Sequence, residues 1–432
     1  MSNIIVLKFG GSSQCVIGYN SCKRRIEEDR SKKYVICVSA LSGITSMLIS
    51  YTKEGDKMII ERIIEKHRSL INELGLEIGD IIDSLIRLVF LNYQNNLQGR
   101  IDLIKLGEKL SSMILNEYLR SEYNVELISA EDIIKSNSES ESLYQFRDIR
   151  VESNKILESL KVNDIVITQG FMGGTPLNKS FLFGRGGSDT SGAIIANSLC
   201  SECYEIWTDV CGIYETDPRI VKEACVLRSI SYDMGQELAA MGSKVIHPYC
   251  IKPCKDKGIP ILIRNSFNYE GDYSRIEDIE SNNCGISIQR NNILFKIKSI
   301  NMWSNYGFVS DIFSVFNNFE IDVDIICTSQ FEISLTTLEE NMEKLIKVQD
   351  RLKERYNVCM RSNLDLISVI SNNILELEIL DNINRLLNER EVYLLSYSSN
   401  KMSVSYLLDN INNKLVNDIY SIIKKIENKN KE

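Results

Sequence analysis

Histidine, proline and tryptophan are scarce in this chain: 2, 5 and 2 among its 432 residues. Only His67 and His247 are available to any mechanism built on histidine. No apolar run approaches the length of a membrane span, so a transmembrane helix is not expected. Neither G-x-x-x-x-G-K-[ST] nor G-x-G-x-x-G occurs, which removes the Walker A loop and the dinucleotide fingerprint; ATP, if used, is bound in another way. Positive charge is also short. A net charge of −9 argues against nucleic acid, whose phosphates call for a basic face, and leaves anionic ligands to local cations. The N-terminal residues enter a strand at once without a basic leader, so a cytoplasmic protein is expected. The 12 cysteines then read as reduced thiols. Cys200 with Cys203 and Cys250 with Cys254 have spacings that zinc accepts, but one pair closes a helical pattern and the other flanks Pro253, so core thiols are expected and no metal cage.

A composition of 44% apolar and 25% charged residues is that of a folded globular chain, and its length implies two or three domains. Five apolar runs stop abruptly in Gly, Ser, Thr or Asp. Ile4 to Phe9 ends in Gly10-Gly11-Ser12, Tyr34 to Val38 in Ser39, Asp164 to Thr168 in Gln169-Gly170, Phe181 to Phe183 in Gly184 to Asp189, and Tyr204 to Trp207 in Thr208-Asp209. In parallel α/β sheets, ligands bind beyond the carboxyl ends of the strands, where glycine permits close backbone approach and free N–H groups meet anions. The pattern predicts one composite phosphate site in a doubly covered, mostly parallel sheet over residues 1–285.

From Lys53 to Arg120 the pattern is continuously helical, with Leu103, Leu106, Leu110 and Met113 three and four apart. Ser136 to Ser142 reads as an exposed loop. Past residue 285 the glycine clusters vanish. Two similar units of strand, helix, strand, strand, helix follow at an offset of roughly 70 residues, each fitting a ferredoxin-like βαββαβ sandwich. Their expected limits are 290–362 and 363–432, sequential or interleaved. Phe308, Ile312, Val315, Phe316 and Phe319 form a helical stripe that reads as core.

Two features carry chemistry by themselves. Lys8 lies in an otherwise apolar strand immediately before a Gly pair, and a buried ammonium needs an anionic partner; the alternative is an edge lysine reaching water. Gly184-Arg185-Gly186-Gly187-Ser188-Asp189 precedes a helical pattern, so backbone donors, a positive dipole end and an arginine converge. Ser188 or Asp189 would serve as an ordinary N-cap, yet three glycines around an arginine exceed what capping requires.

Taken together, Lys8 to Ser13, Gly184 to Ser191 and Trp207 to Arg219 resemble the aspartate kinases of the amino-acid kinase family, with Leu106-Gly107-Glu108 and Val38 to Thr45 agreeing in order and spacing. The resemblance spans the chain and implies an amino-acid kinase fold followed by two ACT domains. It implies transfer of the ATP γ-phosphoryl group, with Mg2+, to the side-chain carboxylate of L-aspartate, as the first step towards lysine, threonine and methionine. It also assigns roles. Lys8 would contact the transferring phosphate, with the Gly10, Gly11 and Ser12 amides as its cradle. Arg185 would clamp the α-carboxylate, Glu108 would meet the ammonium, and Thr45, Ser188 and Asp189 would orient the substrate, with action through magnesium-bound water as the alternative for Asp189. Ser39, Thr208, Asp209, Tyr214, Arg219 and Lys244 would form the nucleotide side.

In the first ACT unit, Met302, Ser304, Phe308, Val323, Asp324, Thr328, Ser329 and Gln330 correspond to the effector site of lysine-sensitive members, expected at the interface of a homodimer or homotetramer. Ser304 stands where a histidine is usual and Gln330 where a glutamate is usual. L-Lysine leads as effector, with threonine or methionine as alternatives. A different acceptor (glutamate, N-acetylglutamate, carbamate or a nucleotide) and a non-catalytic amino-acid sensor are the competing readings.

Overall fold

The computed structural model describes residues 3–139, 142–144, 148–243, 245–280, 283–299, 306–372, 374 and 378–429. Two compact units emerge: residues 1–213, 226–239 and 244–281 form the first, and 214–225, 240–243 and 282–432 the second.

The first unit is built on an eight-stranded sheet in the order Ser229–Ser231, Ser274–Glu277, Ile261–Asn265, Cys203–Thr208, Ile4–Phe9, Lys33–Val38, Ile165–Gln169, Val125–Leu127. Only the Ile261–Asn265 and Ser274–Glu277 pair runs antiparallel. Ile4–Phe9 is buried along its whole length, which a parallel strand covered on both faces requires. Helix Gly187–Leu199 packs on Ile4–Phe9, Lys33–Val38 and Cys203–Thr208, while Leu106–Leu119 packs on Ile165–Gln169 and its neighbours. The three-layer α/β architecture follows.

Four of the five interrupted runs fall in this sheet. The fifth does not: Ser180–Leu182 belongs to a separate four-stranded sheet and pairs antiparallel with Met172–Gly174. Its apolar residues gave no hint of which sheet would take them. Ser136 likewise departs from expectation, because it ends the strand Ile134–Ser136 of that small sheet and is buried. The helical stretch resolves into Met58–Glu73, Gly79–Leu91, Leu97–Ile104 and Leu106–Leu119.

The second unit holds a six-stranded antiparallel sheet in the order Ile326–Thr328, Glu332–Thr337, Cys284–Lys298, Asn357–Ser371, Ser403–Leu408, Leu394–Tyr397. Its two long strands serve two ferredoxin-like sandwiches at once. Residues 293–298 pair with Glu332–Thr337 and with 357–361, whereas 284–289 pair with 366–371, which pair in turn with Ser403–Leu408. The second sandwich therefore takes its outer strand from residues that precede the whole of the first. Register shifts between Gln289 and Leu294 mark the crossing point. Phe308, Ile312 and Phe316 are buried in the first sandwich with Phe295 and Leu345, as the stripe requires. Val221 and Ala224 join the core of the second.

Candidate active site

Lys8 stands in a central strand, paired with Cys37 on one side and Ile206 on the other, so it is no edge lysine. It is buried, and its Nζ lies 2.7 Å from Asp189 Oδ1. The contact is a charge pair rather than a directed hydrogen bond. Asp189 occupies the first turn of helix Gly187–Leu199, whose N-cap is Gly186 in the left-handed conformation at φ 65°, with no side-chain cap. Neither Ser188 nor Asp189 caps. Both face a cavity of about 390 Å³ that Lys8, Gly11, Ser39, Thr45 and Glu108 also line.

Glu108 is the least expected of these. A helical glutamate is normally solvated, but this one is 2% exposed, on the buried side of Leu106–Leu119. Gly107 permits that approach, since a Cβ there would stand 2.6 Å from Ala40 Cβ. Glu108 Oε1 accepts a hydrogen bond from Ala40 N at 3.2 Å, while Oε2 has no partner. Burial pushes this carboxyl up to about 8, against the opposing pull of the Ala40 amide. That oxygen is open to a donor entering the cavity.

The Gly10 amide is already engaged, donating to Trp207 O at 3.0 Å. Gly10 therefore shapes the turn and cannot offer its N–H to phosphate. Gly11 and Ser12 open the turn Gly11–Ser13, where first-turn amides have no intrahelical acceptor. Arg185 is exposed between Gly184 and Gly186 and does not itself line the cavity.

A model of the amino acid kinase family matches residues 3–265. The chain belongs to the amino acid kinase family. This family member is 27% identical to lysine-sensitive aspartokinase 3 of Escherichia coli K12 over 87% of its own length and 88% of that protein. It is 31% identical to the aspartokinase of Chlamydia trachomatis serovar D, over 61% of the chain and 62% of that protein. The fold is that of E. coli aspartokinase III in complex with aspartate and ADP, with a TM-score of 0.81 at 23% identity over 97% of this chain and 99% of that one. The lysine and aspartate complex of the same enzyme superposes with a TM-score of 0.75 at 23% identity, with the same coverage.

The residues expected at the nucleotide and effector sites are divided between the two units. Thr208 donates to Asp209 Oδ1 at 3.1 Å at the exposed end of Cys203–Thr208. Tyr214 and Arg219 belong to the second unit, where Arg219 forks onto Asp217 with bonds of 2.8 to 3.2 Å. Lys244, Met302 and Ser304 lie outside the described residues. In the first sandwich, Val323 to Gln330 run along the edge of the sheet, and Asp324 N donates to Thr336 O at 2.9 Å. The Asp324 carboxyl is raised to about 6 by desolvation and then by Asp322, although the residue as a whole remains exposed. Phe308 packs edge-on to Tyr356 at 4.9 Å and is core.

Three residues at or next to the cavity received no role from the sequence. Phe171 lines the cavity at φ 68°, a strained position for an aromatic residue. Cys37 sits beside Lys8 in the sheet, its thiol pushed up to about 12 by burial. His247 packs against Gly186. Only the positive φ of Phe171 has a sequence correlate, its place between Gly170 and Gly173.

Proposed function

We propose that this amino acid kinase is an aspartate kinase, transferring the γ-phosphoryl group of ATP to the side-chain carboxylate of L-aspartate to give 4-phospho-L-aspartate. The observation that carries the reading is the buried, half-satisfied Glu108 facing the same cavity as the Lys8 and Asp189 pair. A neutral or purely anionic acceptor has no use for a buried carboxylate there. An α-amino acid does.

The chemistry needs no base. An acceptor carboxylate is ionised at neutral pH and attacks phosphorus directly, so catalysis reduces to alignment and charge neutralisation. Lys8 would stabilise the transferring phosphoryl oxygens, and the N-terminus of Gly187–Leu199 adds its positive end. Glu108 Oε2 would receive the α-ammonium, Arg185 the α-carboxylate, and Thr45, Ser188 and Asp189 the remaining polar edges. Gly11, Ser12, Ser39, Thr208, Asp209, Tyr214, Arg219 and Lys244 are assigned to the nucleotide. Asp209 presents an exposed carboxylate, a hard oxygen donor of the kind Mg2+ accepts alongside phosphate and water. The ion would neutralise phosphate charge. L-Lysine is the effector we assign to the Val323 to Gln330 edge, with copies of the chain pairing through the second unit.

The test is direct. Purified protein is incubated with ATP, Mg2+ and hydroxylamine, with aspartate or glutamate as acceptor and with or without lysine, and the coloured hydroxamate is measured. Aspartate-specific product suppressed by lysine is the expected result. Hydroxamate from glutamate alone moves the acceptor, and lysine binding without any hydroxamate makes the chain a sensor.

A further inference from the structure

The imidazole of His247 lies against Gly186, the residue that opens the helix carrying Ser188 and Asp189. A Cβ built on Gly186 would stand 2.1 Å from His247 Cγ and 2.5 Å from Cδ2. The ring therefore occupies the space a side chain at 186 would need. Gly186 is held from the other side as well: its carbonyl accepts from Thr190 N at 2.9 Å and Thr190 Oγ1 at 3.1 Å.

His247 is itself fixed. Its carbonyl accepts from Cys250 N at 3.1 Å as the turn Pro248–Cys250 begins, and its ring packs at 48° on Tyr249, 5.1 Å between centroids. Its electrostatic neighbours are Asp189 and Arg185. Burial holds the imidazole below its usual pKa; Asp189 opposes that shift and Arg185 reinforces it. The ring is absent from the cavity wall, so it reaches reactants only through other residues.

We propose that His247 is a positioning residue for acceptor binding: its ring props the Gly184 to Gly187 turn, fixing the first turn of Gly187–Leu199 against the cavity and the backbone from which Arg185 projects beside it. The inference rests on the reading of that cavity as the aspartate site. Without the prop, the left-handed glycines at 184 (φ 87°) and 186 (φ 65°) are held only by the Thr190 bonds to Gly186 O and by Gly187 N donating to Gly184 O at 3.0 Å, and the clamp on the acceptor loosens. Lys8 is fixed by the central strand instead, so ATP binding should be spared.

Steady-state kinetics of the full chain by hydroxylamine trapping test this. His247→Ala should raise KM for L-aspartate about tenfold, the scale on which a displaced positioning group acts, with KM for ATP held within about twofold. His247→Phe, which restores a flat ring without its nitrogens, should recover most of the loss. An unchanged aspartate KM in His247→Ala, a parallel rise for ATP, or a Phe variant no better than Ala overturns the proposal. Should His247→Ala fail to fold, Gly186→Ala, which drives a methyl into the ring, must raise the aspartate KM selectively; an unaltered KM there is equally fatal. A wild-type enzyme inactive on aspartate removes the functional reading and this inference together, whereas an active enzyme indifferent to His247 removes only the latter.

Discussion

Lys8 Nζ and Asp189 Oδ1 meet at 2.7 Å where the central strand Ile4–Phe9 faces the first turn of helix Gly187–Leu199. Both side chains are at least 86% buried. The pairing solves a folding problem and, on the proposed reading, poses the catalytic one, since a phosphate entering the cavity would compete with Asp189 for the same ammonium. Lys8→Ala is expected to lower turnover by about a hundredfold or more, the scale of deleting one preorganised charge. It also leaves Asp189 buried and unpaired, which costs about 3 kcal/mol in stability. Lys8→Met should be nearly as inactive. Turnover measured at saturating ATP and aspartate, beside chemical unfolding, separates the two effects, and an unchanged turnover number removes Lys8 from the mechanism.

Glu108 gives the protein a pH signature. Its carboxyl is raised from an ordinary 4.5 to about 8, so between those values the folded state holds a proton that the unfolded chain has lost. Stability from this group then falls as pH rises through that window, by at most about 1.4 kcal/mol per pH unit, and is level above it. Binding has the opposite sense: an α-ammonium needs the ionised carboxylate, so kcat/KM for aspartate should climb as pH approaches 8. Glu108→Gln should flatten both trends and raise the aspartate KM. Melting temperatures and kcat/KM profiles between pH 5 and pH 9 decide it; a Gln variant that keeps the slope would assign the titration elsewhere.

Lys8 and Asp189 illustrate how far the sequence could be read. A lysine in an apolar strand and a Gly-rich helix start each announced a charged site, because strand burial and helix dipoles are local properties. The assignment of Ser180–Leu182 to a second sheet was not local, since three buried residues pair equally well with either sheet until Met172–Gly174 is in place. Glu108 was legible only by resemblance, because its burial depends on Gly107 meeting Ala40 from a distant segment. The order of the two sandwiches was hidden for the same reason. The polar tetrad Gln289 to Asn292, with Asn291 at φ 61°, does mark where pairing changes from 366–371 to 357–361, but it reads equally well as a loop between two domains.

The segment 214–225 offers a test of the second unit's construction. Glu215 accepts from Tyr420 OH at 2.7 Å, from Cys225 N at 3.2 Å and from Lys424 Nζ, while Val221 and Ala224 are buried in the second sandwich's core. Lys424 also holds Glu427 at 2.8 Å. Lys424→Met should cost about 1 to 3 kcal/mol by leaving Glu215 half-satisfied, and Tyr420→Phe about 1 kcal/mol. Hydrogen exchange should accelerate first in peptides spanning 214–225. Uniform acceleration across residues 282–429 would show instead that the segment is not separately tethered by these bonds.

On the proposed reading, effector choice comes down to Asp324. With Ser304 and Gln330 at two of the proposed effector positions, Asp324 is the one acidic side chain among the positions matched to that site. A cationic amino acid must be met by it, while threonine or methionine would use only its contact with the α-ammonium. Asp324→Asn should therefore raise the lysine concentration for half-maximal suppression about tenfold, the worth of one charge-assisted bond. Because the carboxyl is raised to about 6, lysine should also act more weakly as pH is lowered through that value. Titration calorimetry at two pH values reads both effects. Equal lysine affinity in wild type and Asp324→Asn would move the effector site away from this edge, or replace lysine with an uncharged amino acid.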